Sequence, residues 1–102
     1  MRVSTKLKEK GSDSFDPTFV PYSGPEDAKI LLVGEAPGKE EVERGEGFVG
    51  GAGRILNALL QQSGIYRPAC RIANICRYKP AANKFINLPE DLVLSETHFL
   101  LK

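Results

Sequence analysis

The sequence predicts an α/β domain with a short parallel sheet, and three segments carry this prediction. Residues 30–33 are all apolar, and a run without polar alternation is typical of a strand buried on both faces. Residues 52–63 place apolar side chains at helical spacing, and residues 70–76 are typical of a second short strand. A strand, a helix and a strand in this order make a βαβ unit, so we expect the two strands to be parallel.

Size and charge limit the classes of function. The chain has 102 residues, enough for one small domain, and its formal net charge of +1 gives no overall basic field for nucleic acid. Its two cysteines, Cys70 and Cys76, flank the second strand, and we interpret them as core residues in a reducing compartment. No apolar run approaches the ~20 residues of a membrane helix, and no secretory signal is visible. We therefore expect a cytoplasmic protein without a membrane partner.

The N-terminal part of the chain is polar and carries little periodicity. We predict a flexible tail over residues 1–18 and one domain over residues 19–102. Pro21, Gly24 and Pro25 make the start of this domain an extended, turning lead-in to the first strand. Residues 39–47 are highly charged. A helical turn and a solvated loop both fit this segment, and we favour the loop.

Two glycine-containing loops follow the first strand. The first is Glu35-Ala36-Pro37-Gly38, at the carboxyl end of the strand, where open α/β sheets place their ligand sites. The second covers residues 45–53 and sets Phe48 among glycines, which allow close backbone approach to a ligand. A helix begins where this loop ends, so its free N–H groups face the loop. The combination predicts a site for an anionic ligand with a flat ring.

The second half of the chain completes the unit. Gly64 follows the predicted helix in the position typical of a left-handed C-cap. Asn74 stands near the carboxyl end of the second strand, so we expect it beside the loop after Gly34. Residues 77–88 are predicted as a long loop, and Pro89 opens a last helix. Two parallel strands make a poor sheet, so the domain looks incomplete.

Four motifs in these segments occur together: GEAPG at 34–38, GFVG with AG at 47–53, Asn74, and Lys79-Pro80 with Asn83. In this combination they resemble the uracil-DNA glycosylase superfamily, in particular its bacterial and archaeal branch that normally carries an iron–sulfur cluster. The resemblance implies a three-layer αβα fold with a short parallel central sheet, here C-terminally truncated. It also implies hydrolysis of the bond between uracil and deoxyribose in DNA after base flipping.

Two departures from that branch change what the resemblance implies. The branch has a cysteine pair near its N-terminus, one cysteine where Tyr78 stands and another near the place of Ser95, and this chain has none there. Because a cluster needs thiolates in a fixed cage, we predict no iron–sulfur cluster, no metal and no other cofactor. The family's second catalytic motif, a His followed by Pro, is absent, and we interpret His98 as a surface or core-edge residue. The chain is most similar to cluster-less relatives found in phages or attached to phage-type DNA polymerases.

The resemblance gives each site residue a role, and an ordinary structural role stays open beside it. Phe48 would stack on the flipped base or anchor its loop in the core. Asn74 would read the pyrimidine edge or cap a turn. Glu35 would position water and balance charge at C1′, or brace its loop. The loop residues that would hold the DNA backbone are Gly34, Ala36, Pro37, Gly38, Gly50, Gly53, Lys79 and Pro80, with Arg77 and Lys84 as further phosphate contacts or solvated charges.

We expect a uracil-DNA glycosylase of base excision repair, whose partner is uracil-containing DNA, with single-stranded DNA as one form. The alternative is a catalytically inactive DNA- or uracil-binding module, phage-borne or associated with a DNA polymerase. A missing C-terminal part of the domain is another candidate partner. The feature that distinguishes the glycosylase from the inactive binding module is a His-Pro motif in the natural chain beyond Lys102. A nucleotide-binding domain is disfavoured, because no Gly-x-Gly-x-x-Gly follows Val33 and no phosphate loop is present.

Overall fold

The computed structural model describes residues 14–102. In this part of the chain the strands and helices, in order, are β1 (Phe15–Phe19), β2 (Leu31–Gly34), α1 (Lys39–Arg44), α2 (Gly51–Gln62), β3 (Arg71–Asn74), β4 (Tyr78–Pro80) and α3 (Glu90–Leu101). Short 3-10 turns at Arg67–Ala69, Ala81–Asn83 and Phe85–Asn87 connect the later elements. Within residues 14–102, no helix combines the length and the apolar composition that crossing a membrane requires.

Strands β2 and β3 pair in parallel, as the βαβ pattern predicts. Leu31 lies opposite Arg71, and Gly34 lies opposite Asn74. The pairing continues past the strand end, since the N–H of Ile75 donates to the carbonyl of Gly34 at 2.9 Å. This register places Asn74 beside the loop that follows Gly34. Both the α/β class and the predicted neighbourhood of Asn74 are therefore confirmed.

Burial of β2 differs from the prediction. The apolar run indicates a strand covered on both faces, but Leu31 is 52% exposed and Val33 is 45% exposed. Side chains alternate across a strand, so these two residues share one face. Among the described residues, nothing covers that face well enough to bury it. The prediction of two buried faces is wrong for this part of the chain, although the strand itself is present.

The structure contains a second, antiparallel sheet that the sequence does not predict. Strand β1 pairs with β4, with Phe15 opposite Pro80 and Phe19 opposite Tyr78. Both phenylalanine rings pack against Tyr78, at centroid distances of 5.4 Å and 6.0 Å. Residues 78–80 therefore form a strand inside the segment predicted as one long loop. Proline obscures such strands in a sequence because it cannot donate to the ladder.

The pairing of β1 with β4 includes residues that the sequence assigns to the N-terminal tail. Residues 15–18, which the sequence assigns to the tail, lie in β1, and Ser14 is buried. Residues 1–13 of the predicted tail lie outside the described residues. Strand β1 therefore lies across the predicted boundary between residues 18 and 19.

Helix α1 occupies the charged segment for which we favoured a loop, so that preference is wrong. Gly38 is its N-cap, and the helix ends at Gly45, whose φ of 70° is left-handed. The carboxylate of Glu41 accepts a hydrogen bond from the N–H of Gly38 at 2.9 Å. This is half of a capping box, in which an acid three residues after the cap satisfies a free N–H group. The pattern was therefore present in the sequence.

Helix α2 agrees with the prediction at both ends. Gly64 has a φ of 71°, and the N–H of Ile65 donates to the carbonyl of Leu60 at 2.9 Å. This geometry is the C-terminal motif that glycine favours. Along the predicted apolar stripe Leu60 is buried, whereas Ile55 and Leu59 are exposed.

Helix α3 is attached by a buried ion pair to Arg77, which lies between β3 and β4. Glu96 is 4% exposed and accepts hydrogen bonds from Arg77 Nε at 2.9 Å, Arg77 Nη2 at 2.9 Å and the Arg77 backbone N–H at 2.8 Å. The guanidinium also lies 3.9 Å from the centroid of the Phe99 ring. The buried apolar residues of the described chain are Val20, Leu60, Cys70, Ile72, Ala73, Cys76 and Leu88. Both cysteines are buried free thiols, which confirms their interpretation as core residues.

Candidate functional site

A cavity of about 680 Å³ lies at the carboxyl ends of β2 and β3. Its volume is in the range of small-molecule sites, and this end of a parallel sheet is where such sites occur. Seven of the predicted site residues line it: Gly34, Glu35, Ala36, Gly38, Phe48, Gly50 and Asn74. The other lining residues are Lys39, Glu40, Glu41, Gly51, Ala52 and Asn83. The two glycine-containing loops and both strand ends therefore share one cavity.

The aromatic ring and the amide predicted to contact a base meet at Gly34. A Cβ added there would collide with Asn74 Oδ1 and would lie 2.7 Å from Cζ of Phe48. Asn74 is 6% exposed, and no described residue hydrogen-bonds its side-chain amide. A flat ring, an amide that none of residues 14–102 hydrogen-bonds and a small residue between them are a suitable arrangement for a planar heterocycle.

Phe48 has an unusual backbone conformation. Its φ of 53° lies in the left-handed region, which costs a residue with a side chain about 1–2 kcal/mol. A Cβ added at Gly53 would collide with the Phe48 carbonyl, so Gly53 lets the first turn of α2 approach the loop. Strained backbone at a cavity persists only where the surrounding structure holds it.

Glu41 is a site residue that sequence reasoning missed. Its carboxylate accepts hydrogen bonds from the N–H groups of Gly38 at 2.9 Å, Val49 at 3.0 Å and Gly50 at 2.7 Å. It thereby joins the loop after β2 to the loop that carries Phe48. Burial raises the pKa of this carboxyl, but the three N–H donors, that of Gly50 foremost, outweigh it and hold the pKa below its ordinary value.

Arg67 is the second residue that was missed. One end of its guanidinium donates to the carbonyl of Phe48 at 2.9 Å and to Asn57 Oδ1, and the other donates to the carbonyl of Gly47 at 2.8 Å. Arg67 belongs to the turn before β3, and its contacts on the loop lie 19 and 20 positions earlier in the chain. Because this pairing is long-range, no local sequence signal indicates it.

Several predicted contacts to the DNA backbone have other roles in the structure. The N–H groups of Gly38 and Gly50 already donate to Glu41, and Pro37 has no N–H. Gly53 packs against the Phe48 carbonyl. Gly51 and Ala52, at the start of α2, line the cavity, and a helix leaves the N–H groups of its first turn without helical partners.

Basic residues near β4 lie apart from the cavity lining. Lys79 is half-buried, and its Nζ donates to the carbonyl of Pro80 at 3.3 Å. Arg77 is committed to Glu96 and the Phe99 ring. Lys79, Pro80 and Arg77 therefore do not join the other predicted site residues. Asn83, quoted in the sequence motif without a role, does line the cavity.

The residues of this chain do not fit a four-thiolate iron–sulfur cluster. The sequence has two cysteines, and the structure buries both as free thiols. At the positions where the resembling branch has cysteine, Tyr78 packs on two phenylalanine rings and Ser95 Oγ donates to the carbonyl of Leu92. Within residues 14–102, no group of three or more His, Cys, Asp or Glu side chains is arranged to hold a metal ion. Absence of a cofactor in the working protein stays a prediction.

Comparison with known proteins shows which family the chain is similar to. A family model described as "Uracil DNA glycosylase superfamily" matches residues 21–98. The chain is 42% identical over 66 residues to the type-4 uracil-DNA glycosylase of Archaeoglobus fulgidus, covering 65% of this chain and 33% of that protein. It is 41% identical over 75 residues to the type-4 enzyme of Thermotoga maritima, covering 74% and 38%. For the type-4 enzyme of Saccharolobus solfataricus the identity is 34% over 89 residues, covering 86% and 40%.

The chain thus spans about a third to two fifths of the length of these curated relatives. The matched residues include both cavity loops, β3 with Asn74 and most of α3. The α/β architecture with a parallel strand pair is the fold that this family has. We conclude that the chain belongs to the uracil-DNA glycosylase superfamily.

Proposed function

We propose that this protein binds uracil in DNA at the cavity between β2, β3 and the Phe48 loop, and that it acts as a uracil-DNA glycosylase in base excision repair. The observation that carries the proposal is the convergence of the Phe48 ring and the Asn74 amide on Gly34. The printed names of the curated relatives support the same activity.

Base recognition follows from the two side chains. The flipped uracil would stack on Phe48, a contact worth about 1–3 kcal/mol per base in single-strand binding proteins. The Asn74 amide would donate to O4 of uracil and accept from N3–H. Cytosine presents the opposite pattern, and a mismatched buried polar group costs about 1–3 kcal/mol. Gly38 stands where another branch of the superfamily has a tyrosine that excludes thymine, so exclusion of the methyl group must come from other residues.

Hydrolysis would need groups on both sides of the scissile bond. Water would attack C1′, the bond to N1 of uracil would break, and its electron pair would leave on the base. Glu35 is exposed at the cavity, where its carboxylate would orient that water and balance positive charge at C1′. The first-turn amides of α2 would receive a neighbouring phosphate.

A second candidate function is uracil or DNA binding without cleavage. The observation that favours it concerns the leaving group, because the uracil anion needs a hydrogen-bond donor at O2. The sequence has one histidine, His98, which is exposed on α3 and does not line the cavity. The residues of this chain therefore supply base recognition more fully than leaving-group stabilisation.

Two measurements on one oligonucleotide set test these functions. Binding and base release are measured on single strands that carry one deoxyuridine, thymidine or deoxycytidine at the same position. We expect tighter binding of deoxyuridine, and Asn74→Asp should shift the preference towards cytosine because an ionised carboxylate only accepts. Release that is lost in Glu35→Ala supports the enzyme, and selective binding without release supports the binding module. Equal affinity for all three strands contradicts both.

The finer parts of the proposal rest on the sequence alone. They are a cluster-less protein of the phage or polymerase-associated type, and contact with a DNA polymerase or with the rest of a longer domain. A cytoplasmic location is supported by two buried free thiols, which suit a reducing compartment.

A further inference from the structure

The backbone around Phe48 is held by two side chains of opposite charge. The carbonyls of Gly47 and Phe48 accept hydrogen bonds from Arg67, and the N–H groups of Val49 and Gly50 donate to Glu41. Phe48 supplies one of these carbonyls and has a left-handed φ of 53°. Arg67 therefore holds the peptide groups on both sides of this strained residue, and Glu41 holds the peptide group that follows it and the next one.

We propose that Arg67 and Glu41 are positioning residues that hold the Phe48 ring beside Gly34 and Asn74 by fixing the loop backbone on both sides of it. The meaning of this brace for DNA rests on the proposed function, whereas the brace itself is a property of the free protein. Neither side chain has to contact the base.

The geometry explains why these residue types are needed. A guanidinium presents several N–H donors in a rigid fork, so Arg67 can serve two successive carbonyls at once, which one ammonium group cannot do in the same way. An ionised carboxylate offers two oxygens, and Glu41 uses one on Gly38 and the other on Val49 and Gly50. Glu41 thereby fixes the Phe48 loop relative to the loop after β2, the opposite border of the cavity.

A spectroscopic test reads the ring position without DNA. Because Gly34 is in contact with the Phe48 ring edge, its α-protons lie in the magnetic field of the ring. Phe48→Leu defines the chemical shift of Gly34 without that ring. We expect Arg67→Met to move the Gly34 shift most of the way to the Phe48→Leu value, and Glu41→Gln to move it part of the way.

The matched control is Arg71→Met. Arg71 also donates to a backbone carbonyl, that of Gly24, but it lies outside the cavity lining. This variant removes the same charge and should leave the Gly34 shift unchanged. Should Arg67→Met fail to fold, Arg67→Lys carries the test, with an intermediate shift expected. A Gly34 shift that stays at the wild-type value in the folded Arg67 variants would overturn the proposal.

A double-mutant cycle tests the consequence for the base. Affinity is measured for a single strand with one deoxyuridine and for the same strand with a tetrahydrofuran abasic site. We expect Arg67→Met to reduce the preference for deoxyuridine about fivefold to hundredfold, the range expected for one lost stacking contact. The same substitution should have no further effect in the Phe48→Leu background. Additive losses contradict the brace. A wild-type protein without any preference for deoxyuridine contradicts the proposed function, and the brace is then tested by the Gly34 chemical shift alone.

Discussion

Two glutamates of this protein have different structural roles, although the pKa of each carboxyl lies below the ordinary value for glutamate. Glu41 faces the backbone N–H groups of two loops, and Glu96 faces the guanidinium and the backbone N–H of Arg77. Burial raises the pKa of Glu96, and the hydrogen bonds and charge of Arg77 outweigh it. The first carboxylate shapes a cavity, whereas the second attaches a helix to the sheet. We therefore expect their loss to separate local from global stability.

The largest effect should come from Glu96→Ala. It leaves Arg77 without its partner in a largely buried site, and breaking such a pair costs about 3 kcal/mol or more. For a domain of this size, that loss should lower Tm by more than about 10 °C. Urea unfolding and a thermal scan measure it. A loss below about 1 kcal/mol would show that the pair does not hold α3.

A smaller and more local effect is expected for Glu41→Ala. The substitution leaves three N–H groups at the cavity border without their acceptor. Because water can reach some of them, we expect the free energy of unfolding to fall by about 1–2 kcal/mol. Hydrogen exchange should accelerate at the amides of Val49 and Gly50 about tenfold or more, while the amides of α3 keep their protection. Uniform acceleration throughout the chain would mean that Glu41 supports the whole fold and would remove the contrast with Glu96.

Acid should weaken both contacts. A carboxyl whose pKa is lower in the folded state contributes stability above its unfolded pKa, and that contribution is lost as pH falls through the folded pKa. Unfolding free energy should therefore fall between pH 5 and pH 3. The double variant Glu41→Gln with Glu96→Gln should show a flatter profile, even though it is less stable at pH 7. Equal slopes for the two proteins would contradict the assignment of these two groups.

The smallest effect is expected for Glu40→Ala. Glu40 pairs with Arg54 at 3.6 Å, and both side chains are exposed. Surface pairs of this kind contribute about 0–1 kcal/mol. The change should leave urea unfolding within about 0.5 kcal/mol of wild type, and it serves as the charge-matched control for the two variants above. A loss as large as that of Glu41→Ala would mean that charge removal alone explains the larger effects.

The elements that the sequence predicted well have strong local signals. Residues 30–33 are a short apolar run, residues 70–76 are rich in apolar residues, and α2 has both a periodic stripe and a glycine at its end. The position of Asn74 followed because parallel strands align their carboxyl ends. The same reasoning brought Phe48 and Asn74 to one cavity, since each belongs to a loop or strand end at that edge.

The elements that the sequence did not predict depend on distant partners. Strand β1 exists because of β4, and prolines in both segments hide the strand pattern. Arg67 reaches a loop about 20 positions away, which no local pattern can indicate. Glu41 was within reach of prediction, because Gly38 and Glu41 have the spacing of a capping box, but a charged run is usually a solvated surface.

The open face of β2 has a practical consequence for work with the purified protein. Leu31 and Val33 present aliphatic surface to water in the folded state. Dyes such as anilinonaphthalene sulfonate fluoresce on surfaces of this kind and commonly serve as reporters of partly unfolded protein. A bright dye signal from this chain is expected at full native structure, so quality control should rest on near-ultraviolet circular dichroism or on dispersed methyl resonances.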